Sequence, residues 1–528
     1  MRSRSSSRTS RTSSGRRPRQ RSGSSGTKSR CRADASTRER SSGGMQLFVL
    51  ALFIGIFAEP LLADKFHRVD GGALVLLVIV PKLLSAILYW LTCWWTARLI
   101  ADRIERRPLR RLERVKAVYH FVIVALYYND LMMGVIGRLR EGLADWVMVN
   151  ELIVMSMPLA LLAWSWWVYY PIERRLRGAR AIDRLDRGLS IQPMWTRGQF
   201  LMAQLRYQVA LVLVPMLLLL AMIQVIEASI PSVALPALGN IELRVLLQIL
   251  GGGCIFLFAP AIIRRVWDTA PLPDGPLREQ LTTMCRQHRV GVRELLVWQT
   301  YGGMVNAAVM GLIRPLRYIL LSDALLETLH LKHIEAVMAH ELAHVSRRHM
   351  FWLLAAAAAL FIIMERMWTT AIGAAELDVI VPLNDLLARH IGLSSTARSL
   401  GDVLIMVMSF GSWAIAFGWV SRRFERQADT FAVQHLAVTA APQDAVRVTI
   451  DEVASGTMID ALEQVAVLNQ IDPGRRSWRH GSIQWRQRYL RGIVGRPIDL
   501  VPIDRQVAWI KRFAAVILLF MIGRGVLF

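Results

Sequence analysis

Five consecutive residues, His340-Glu341-Leu342-Ala343-His344, form the pattern His-Glu-x-x-His within a stretch of helical periodicity. On a helix, positions i and i+4 share a face, so both imidazoles can point at one ion. Zinc accepts neutral imidazole nitrogens at roughly 2.0–2.1 Å. Glu341 stands one position after His340 and three before His344, so it flanks such an ion without having to bind it. It can then take a proton from a water held there, whose pKa zinc lowers to about 7. The chemistry expected is metal-assisted hydrolysis with Glu341 as base. The competing reading is an amphipathic helix whose His and Glu face water.

A catalytic zinc site takes a third protein ligand and leaves the fourth position to water. Downstream, Ser421-Arg-Arg-Phe-Glu425-Arg-Gln-Ala-Asp429 offers two carboxylates four apart, again on one helical face. One of them can bind metal and the other can orient a ligand histidine. His330, His333 and His349 surround the motif and are read as surface or structural, since His349, five past His344, turns off the ligand face. The four cysteines, Cys31, Cys93, Cys254 and Cys285, are far apart, and two lie in apolar runs. That excludes a disulfide framework and a thiolate metal site.

The elements that must position these residues belong to a membrane chain. Apolar residues make up 54% of the 528, against roughly 45–50% for a soluble protein, and mean hydropathy is +0.35. A spanning helix needs ~20 mostly apolar residues. Runs at 46–63, 73–97, 117–136, 150–170, 208–226, 244–263, 351–372 and 402–420 qualify, the first being readable also as a signal peptide. The stretch 513–528 is a ninth span or an interfacial helix. The formal charge is +24, of which residues 1–44 supply +11. This Ser/Arg-rich segment cannot bury a core and is expected to be a disordered tail, or an upstream extension if Met45 is the start. Basic loops between spans account for the remaining charge better than nucleic-acid binding does. Segments 98–116 and 171–207 are rich in Arg, whereas 227–243 contains only Asp/Glu among charged residues. A cytoplasmic N-terminus therefore puts the basic loops, and the chain after Arg265, on the cytoplasmic side of the cell (inner) membrane. Two apolar runs separate His344 from Glu425, so both return to the same side.

Residues 265–350 read as soluble. Pro271, Pro273, Gly275 and Pro276 mark a linker, a helix is expected over 276–289, and strands over 294–300, 306–313 and 317–321 make a small antiparallel sheet. Ser322 or Asp323 caps a helix, and the longer helix carrying the motif begins near Lys332.

These residues resemble the membrane gluzincin family of the CAAX prenyl protease and HtpX. The resemblance runs from 276 to 435, with a weaker tail to 490. It rests on 295–300, Asn306-Ala307 with Gly311, Leu321-Ser-Asp-Ala-Leu-Leu-Glu327, Glu335-Ala-Val-Met-Ala-His-Glu-Leu-Ala-His344 and Ser421-Arg-Arg-Phe-Glu-Arg-Gln-Ala-Asp429. It implies one zinc per chain held by His340, His344 and Glu425, Glu341 as base, and Asp429 as the aspartate behind a ligand histidine. It also implies that Asn306-Ala307 opens an edge strand that binds substrate by strand addition. His480 matches the histidine of the prenyl-protease His-Pro motif, an oxyanion stabiliser near the zinc, although Gly481 stands in place of the proline. The six runs before the motif exceed the number in HtpX.

The expected fold is mostly α: polytopic membrane helices plus a small α+β zincin-like catalytic domain with a three-stranded sheet. The expected layout is a tail at 1–44, a six-span domain at 45–264, a catalytic region at 265–350, two spans at 351–420, a second catalytic half at 421–511 and an apolar helix at 512–528. The expected activity is zinc metalloendopeptidase, with a membrane-associated polypeptide as substrate, the bilayer as partner and no nucleic acid. The alternatives are an inactive scaffold or transporter that keeps the fold, and a BlaR-type signalling protease. The loop at 373–401 is short for the sensor domain of the latter.

Overall fold

The computed structural model describes residues 48–56, 71–100, 106–143, 146–186, 194–235, 241–301, 304–375, 396–442, 447–469 and 471–523. The tail at 1–44, much of the first apolar run (46–63) and most of the loop at 373–401 lie outside the described residues.

Apolar helices dominate the first half. In order they are α1 (Gly71–Leu99), α2 (Arg106–Met132), α3 (Val135–Leu143) and α4 (Val149–Asp186). Next, α5 (Arg197–Gln204) passes through a π-helical turn into α6 (Leu211–Ser229). A short antiparallel ladder, β1 (Ala234–Leu235) with β2 (Ile241–Glu242), leads to α7 (Leu243–Val266). Among the described residues, five helical stretches are long and apolar enough to cross a membrane: Leu76–Leu99, Val149–Ala179, Arg197–Ser229, Leu243–Val266 and His349–Ala371. The apolar run expected at 117–136 falls on α2 and α3, which meet at a 55° bend where Gly134 takes φ +68°. Inside this bundle Lys82 donates to Asp130 at 2.6 Å and joins α1 to α2. Charges away from water persist when paired in this way.

The second half begins with β3 (Thr269–Pro271), α8 (Pro276–Gln287), β4 (Glu294–Trp298), β5 (Ala307–Met310) and β6 (Tyr318–Ser322). The sheet order is β3-β4-β6-β5. Two features differ from the sequence expectation. A fourth strand, β3, comes from the stretch read as linker, and it pairs antiparallel with β4. Pro271 lacks an N–H, which an edge strand tolerates. The sheet is also mixed rather than antiparallel, because β6 inserts between β4 and β5 and runs parallel to β4. Every residue of β6 is buried. Its continuous apolar run marks a central strand, which the order of strands along the chain did not reveal.

Seven further helices follow among the described residues: α9 (Asp323–Thr328), α10 (Leu331–Ser346), α11 (His349–Ala375), α12 (Thr396–Ala440), α13 (Glu452–Leu468), α14 (Ile483–Arg491) and α15 (Pro502–Gly523). Of the two cap candidates Ser322 is the N-cap of α9, its Oγ accepting from Leu325 N at 3.1 Å. Asp323 instead accepts from Thr300. The apolar run 402–420 is the first part of α12, which continues without a break through Glu425 and Asp429. One hydrophobic core joins α8, the sheet, α10, α12, α13 and α15, and a separate core lies within the N-terminal bundle.

The turn from β5 to β6 has a strict requirement at Gly311. Its φ is +97°, and a Cβ there would lie 2.1 Å from the Leu316 carbonyl oxygen. Gly311→Ala is therefore expected to cost at least the ~1–3 kcal/mol of a strained backbone. Thermal unfolding in detergent should show a lower apparent melting temperature, and an unchanged one would mean that the turn relaxes freely.

Candidate metal centre

Two helices from distant parts of the chain build the centre. α10 carries His340, Glu341 and His344, and α12 carries Glu425 and Asp429. Ala336, Ala339 and Ala343 on α10, and Ala428 and Ala432 on α12, are fully buried. Small side chains let packed helices approach closely. The 3.6-residue repeat then turns both histidines of one helix toward the carboxylates of the other.

One donor atom each from His340, His344 and Glu425 lies within 4.8 Å of the other two. His340 Nε2 is 3.6 Å and His344 Nε2 3.9 Å from the Glu425 carboxylate, and the two Nε2 atoms are 3.3 Å apart. Two imidazole nitrogens and one carboxylate oxygen, converging in a largely buried site, fit zinc. Asp429, wholly buried, lies 3.0 Å from His340 Nδ1. Asp429 thus faces the Nδ1 side of His340, which leaves Nε2 directed to a metal position. Glu341 sits beside this group, and its Oε2 accepts from Val309 N at 3.2 Å. The Glu341 carboxylate therefore faces the outer edge of β5. His480 lies in the turn before α14, its ring half exposed and its Nδ1 3.1 Å from Glu425 Oε1. Asn306 is exposed at the start of β5, tied through its backbone to Ser322. Ala307 pairs with Leu321, and its side chain is buried.

Electrostatics follows burial and these partners. Burial pushes the Glu341 carboxyl up to about 7, and Glu425 adds to the rise while His340 opposes it. Burial lowers His344 to about 4, although Glu425 pulls the other way. His344 is thus neutral, as a metal ligand must be. Burial would lower His340 too, but Asp429 overrides it and the net shift is upward. Glu425 is held well below the usual carboxylate range, because His480, His344 and His340 outweigh its burial.

Two neighbours of the centre escaped the sequence reading. Arg486 on α14 is buried and forks onto Asp429, Nε to Oδ2 at 2.7 Å and a second bond to Oδ1 at 2.5 Å. It also stands 3.9 Å from Glu425. Nothing in its local sequence separates it from Arg488 and Arg491. His349, placed off the ligand face by helical spacing, is fully buried with its Nδ1 3.1 Å from His344 Nδ1. Helical spacing does not carry through to His349, because α10 ends at Ser346 and the chain turns through Arg348, at φ +54°, before α11. His330 is exposed and His333 half-buried.

Arg486→Leu would leave Asp429 as an uncompensated buried charge. Loss of one partner of such a pair costs about 3–5 kcal/mol. Chemical unfolding should show a loss of that order, and a fully stable Arg486→Leu variant would argue against the ion pair.

Comparison with known proteins yields two findings. Residues 271–480 match the model of peptidase family M48. Among solved structures, the crystal structure of S. mikatae Ste24p aligns with a TM-score of 0.42 and 13% identity, over 80% of this chain and 99% of that one. No curated protein matches the chain. The matched segment contains His340, Glu341, His344, Glu425, Asp429 and His480, and over residues 271–480 the chain is similar to peptidase family M48.

Proposed function

We propose that the protein is an integral-membrane zinc endopeptidase that cuts membrane-associated polypeptides at the cytoplasmic face, in quality control or processing of membrane proteins. The observation that carries this reading is the convergence of His340, His344 and Glu425 with Glu341 beside the outer edge of β5. Held by these three ligands, zinc would polarise a water and the scissile carbonyl. The remaining chemistry belongs to the chain. An extended peptide adds to the outer edge of β5, taking the Val309 N–H from Glu341, with Asn306 and Ala307 at the start of the contact. Glu341 takes a proton from the attacking water and returns it to the leaving amine, a task suited to a carboxyl near 7. His480, half exposed beside Glu425, donates toward the oxygen on which negative charge develops. Asp429 keeps the Nε2 of His340 directed into the site.

Detergent-purified protein is expected to hold about one zinc per chain and the Glu425→Ala variant much less, by elemental analysis. Glu341→Gln should keep the metal and lose proteolysis by ~100-fold or more, the scale of a missing general base. Cleavage of a verified substrate at an undiminished rate by that variant would refute the enzyme reading. Wild type that stays free of metal after zinc reconstitution would leave the inactive scaffold. For sidedness, a reporter active only outside the cytoplasm should be silent when fused after Arg265 and active when fused within 227–243. The reverse pattern would place the centre outside.

A further inference from the structure

His344 has a second face, away from the metal ligands, and a chain of hydrogen bonds starts there. Its Nε2 looks toward Glu425 and His340, and its Nδ1 lies 3.1 Å from Nδ1 of His349. His349 Nε2 is 2.9 Å from Gln427 Oε1. The other end of the Gln427 amide, Nε2, is 2.6 Å from Asp504 Oδ1 in the first turn of α15. His349 is fully buried and Gln427 nearly so.

Donor and acceptor rules allow one assignment along this chain. A carboxylate only accepts, so the Gln427 group facing Asp504 is the NH2. The amide oxygen then faces His349 and can only accept, so His349 Nε2 carries the hydrogen. Neutral His349 therefore has a bare Nδ1, which accepts from the Nδ1–H of His344. The Nε2 of His344 is left with its lone pair directed into the ligand site. We propose that His349, Gln427 and Asp504 form a relay that sets the tautomer and ring orientation of the zinc ligand His344. His349 is a positioning residue, and the C-terminal helix α15 is a functional part of the metal centre. The arrangement parallels the one at His340, where Asp429, clamped by Arg486, lies 3.0 Å from Nδ1. The two ligand histidines are thus oriented by separate partners, Asp429 with Arg486 for His340 and His349 with Gln427 and Asp504 for His344. An imidazole is an uncommon acceptor behind a ligand histidine, since carboxylates, carbonyls and water usually serve. Here its direction is imposed from Asp504, two residues further along the chain of bonds.

The relay rests on the zinc reading above, and zinc affinity tests it separately. Full-length protein in detergent is titrated with zinc in competition with a chromogenic chelator, and melting of the zinc-free protein is followed in parallel. His349→Phe keeps a buried ring against Phe424, whose centroid is 4.9 Å away, but has no acceptor. Its zinc affinity should fall by about 10–100-fold, the usual effect of removing a group that orients a ligand. His349→Asn places an amide oxygen where the imidazole Nδ1 stood and should restore affinity to within a few-fold of wild type. Asp504 is partly exposed, so Asp504→Ala tests the far end without opening the core. It should weaken zinc binding, and in combination with His349→Phe it should add little, because both act through one chain. Wild-type zinc affinity in His349→Phe or in Asp504→Ala, equal losses in the Phe and Asn variants, or fully additive losses would each overturn the relay. If His349→Phe does not fold, the Asn and Asp504 variants decide. Wild type that binds no zinc would overturn the relay together with the reading beneath it.

Discussion

The buried contact between α10 and α12 is the constraint on which the rest depends. It brings Glu425 among three imidazoles and a guanidinium, and Asp429 between His340 and Arg486. Burying such charges singly would be costly, and only mutual pairing makes the cluster tolerable. The carboxylates and the Arg486 guanidinium compensate one another, while the Nε2 atoms of His340 and His344 converge on each other and on Glu425. A cation is the natural occupant of that convergence, and the alanine-lined packing of the two helices holds the geometry in place.

The membrane helices are part of this centre. α11 leaves from the end of the motif helix, and α12 returns as a single rod whose first part is the apolar run and whose second part presents Glu425 and Asp429. Trp478, two residues before His480, packs on the same rod. It donates from its indole to the Ala414 carbonyl, accepts from Arg422 through its own carbonyl, and fills the space over Gly418, where a Cβ would meet its ring at 2.5 Å. The loop that presents His480 is docked on the helix that presents Glu425.

The sheet has a similar double duty. β6 is its buried centre, and β5 is an edge strand whose outer side meets Glu341 through Val309 N–H.

Helical arithmetic and the chemistry of side chains explain what was legible in the sequence. The i, i+4 pairs His340/His344 and Glu425/Asp429 define ligand faces on any helix. The lengths of the apolar runs identify a membrane chain, and two such runs between the pairs allow them to meet. These are local or one-dimensional properties, so no fold is needed to read them. The remainder is non-local. Arg486 became part of the centre only because α14 packs beside α12. The parallel pairing of β6 with β4 depends on a strand inserting out of sequence order. The choice of Glu425 for the ligand group and Asp429 for His340 Nδ1 is decided by where the two helices cross, since spacing treats both alike. His349 shows the limit most clearly. Its helical spacing pointed it away, but a single turn at 347–348 broke the helix and returned its ring to His344, where Gln427 and Asp504 complete a hydrogen-bond chain that no sequence period encodes.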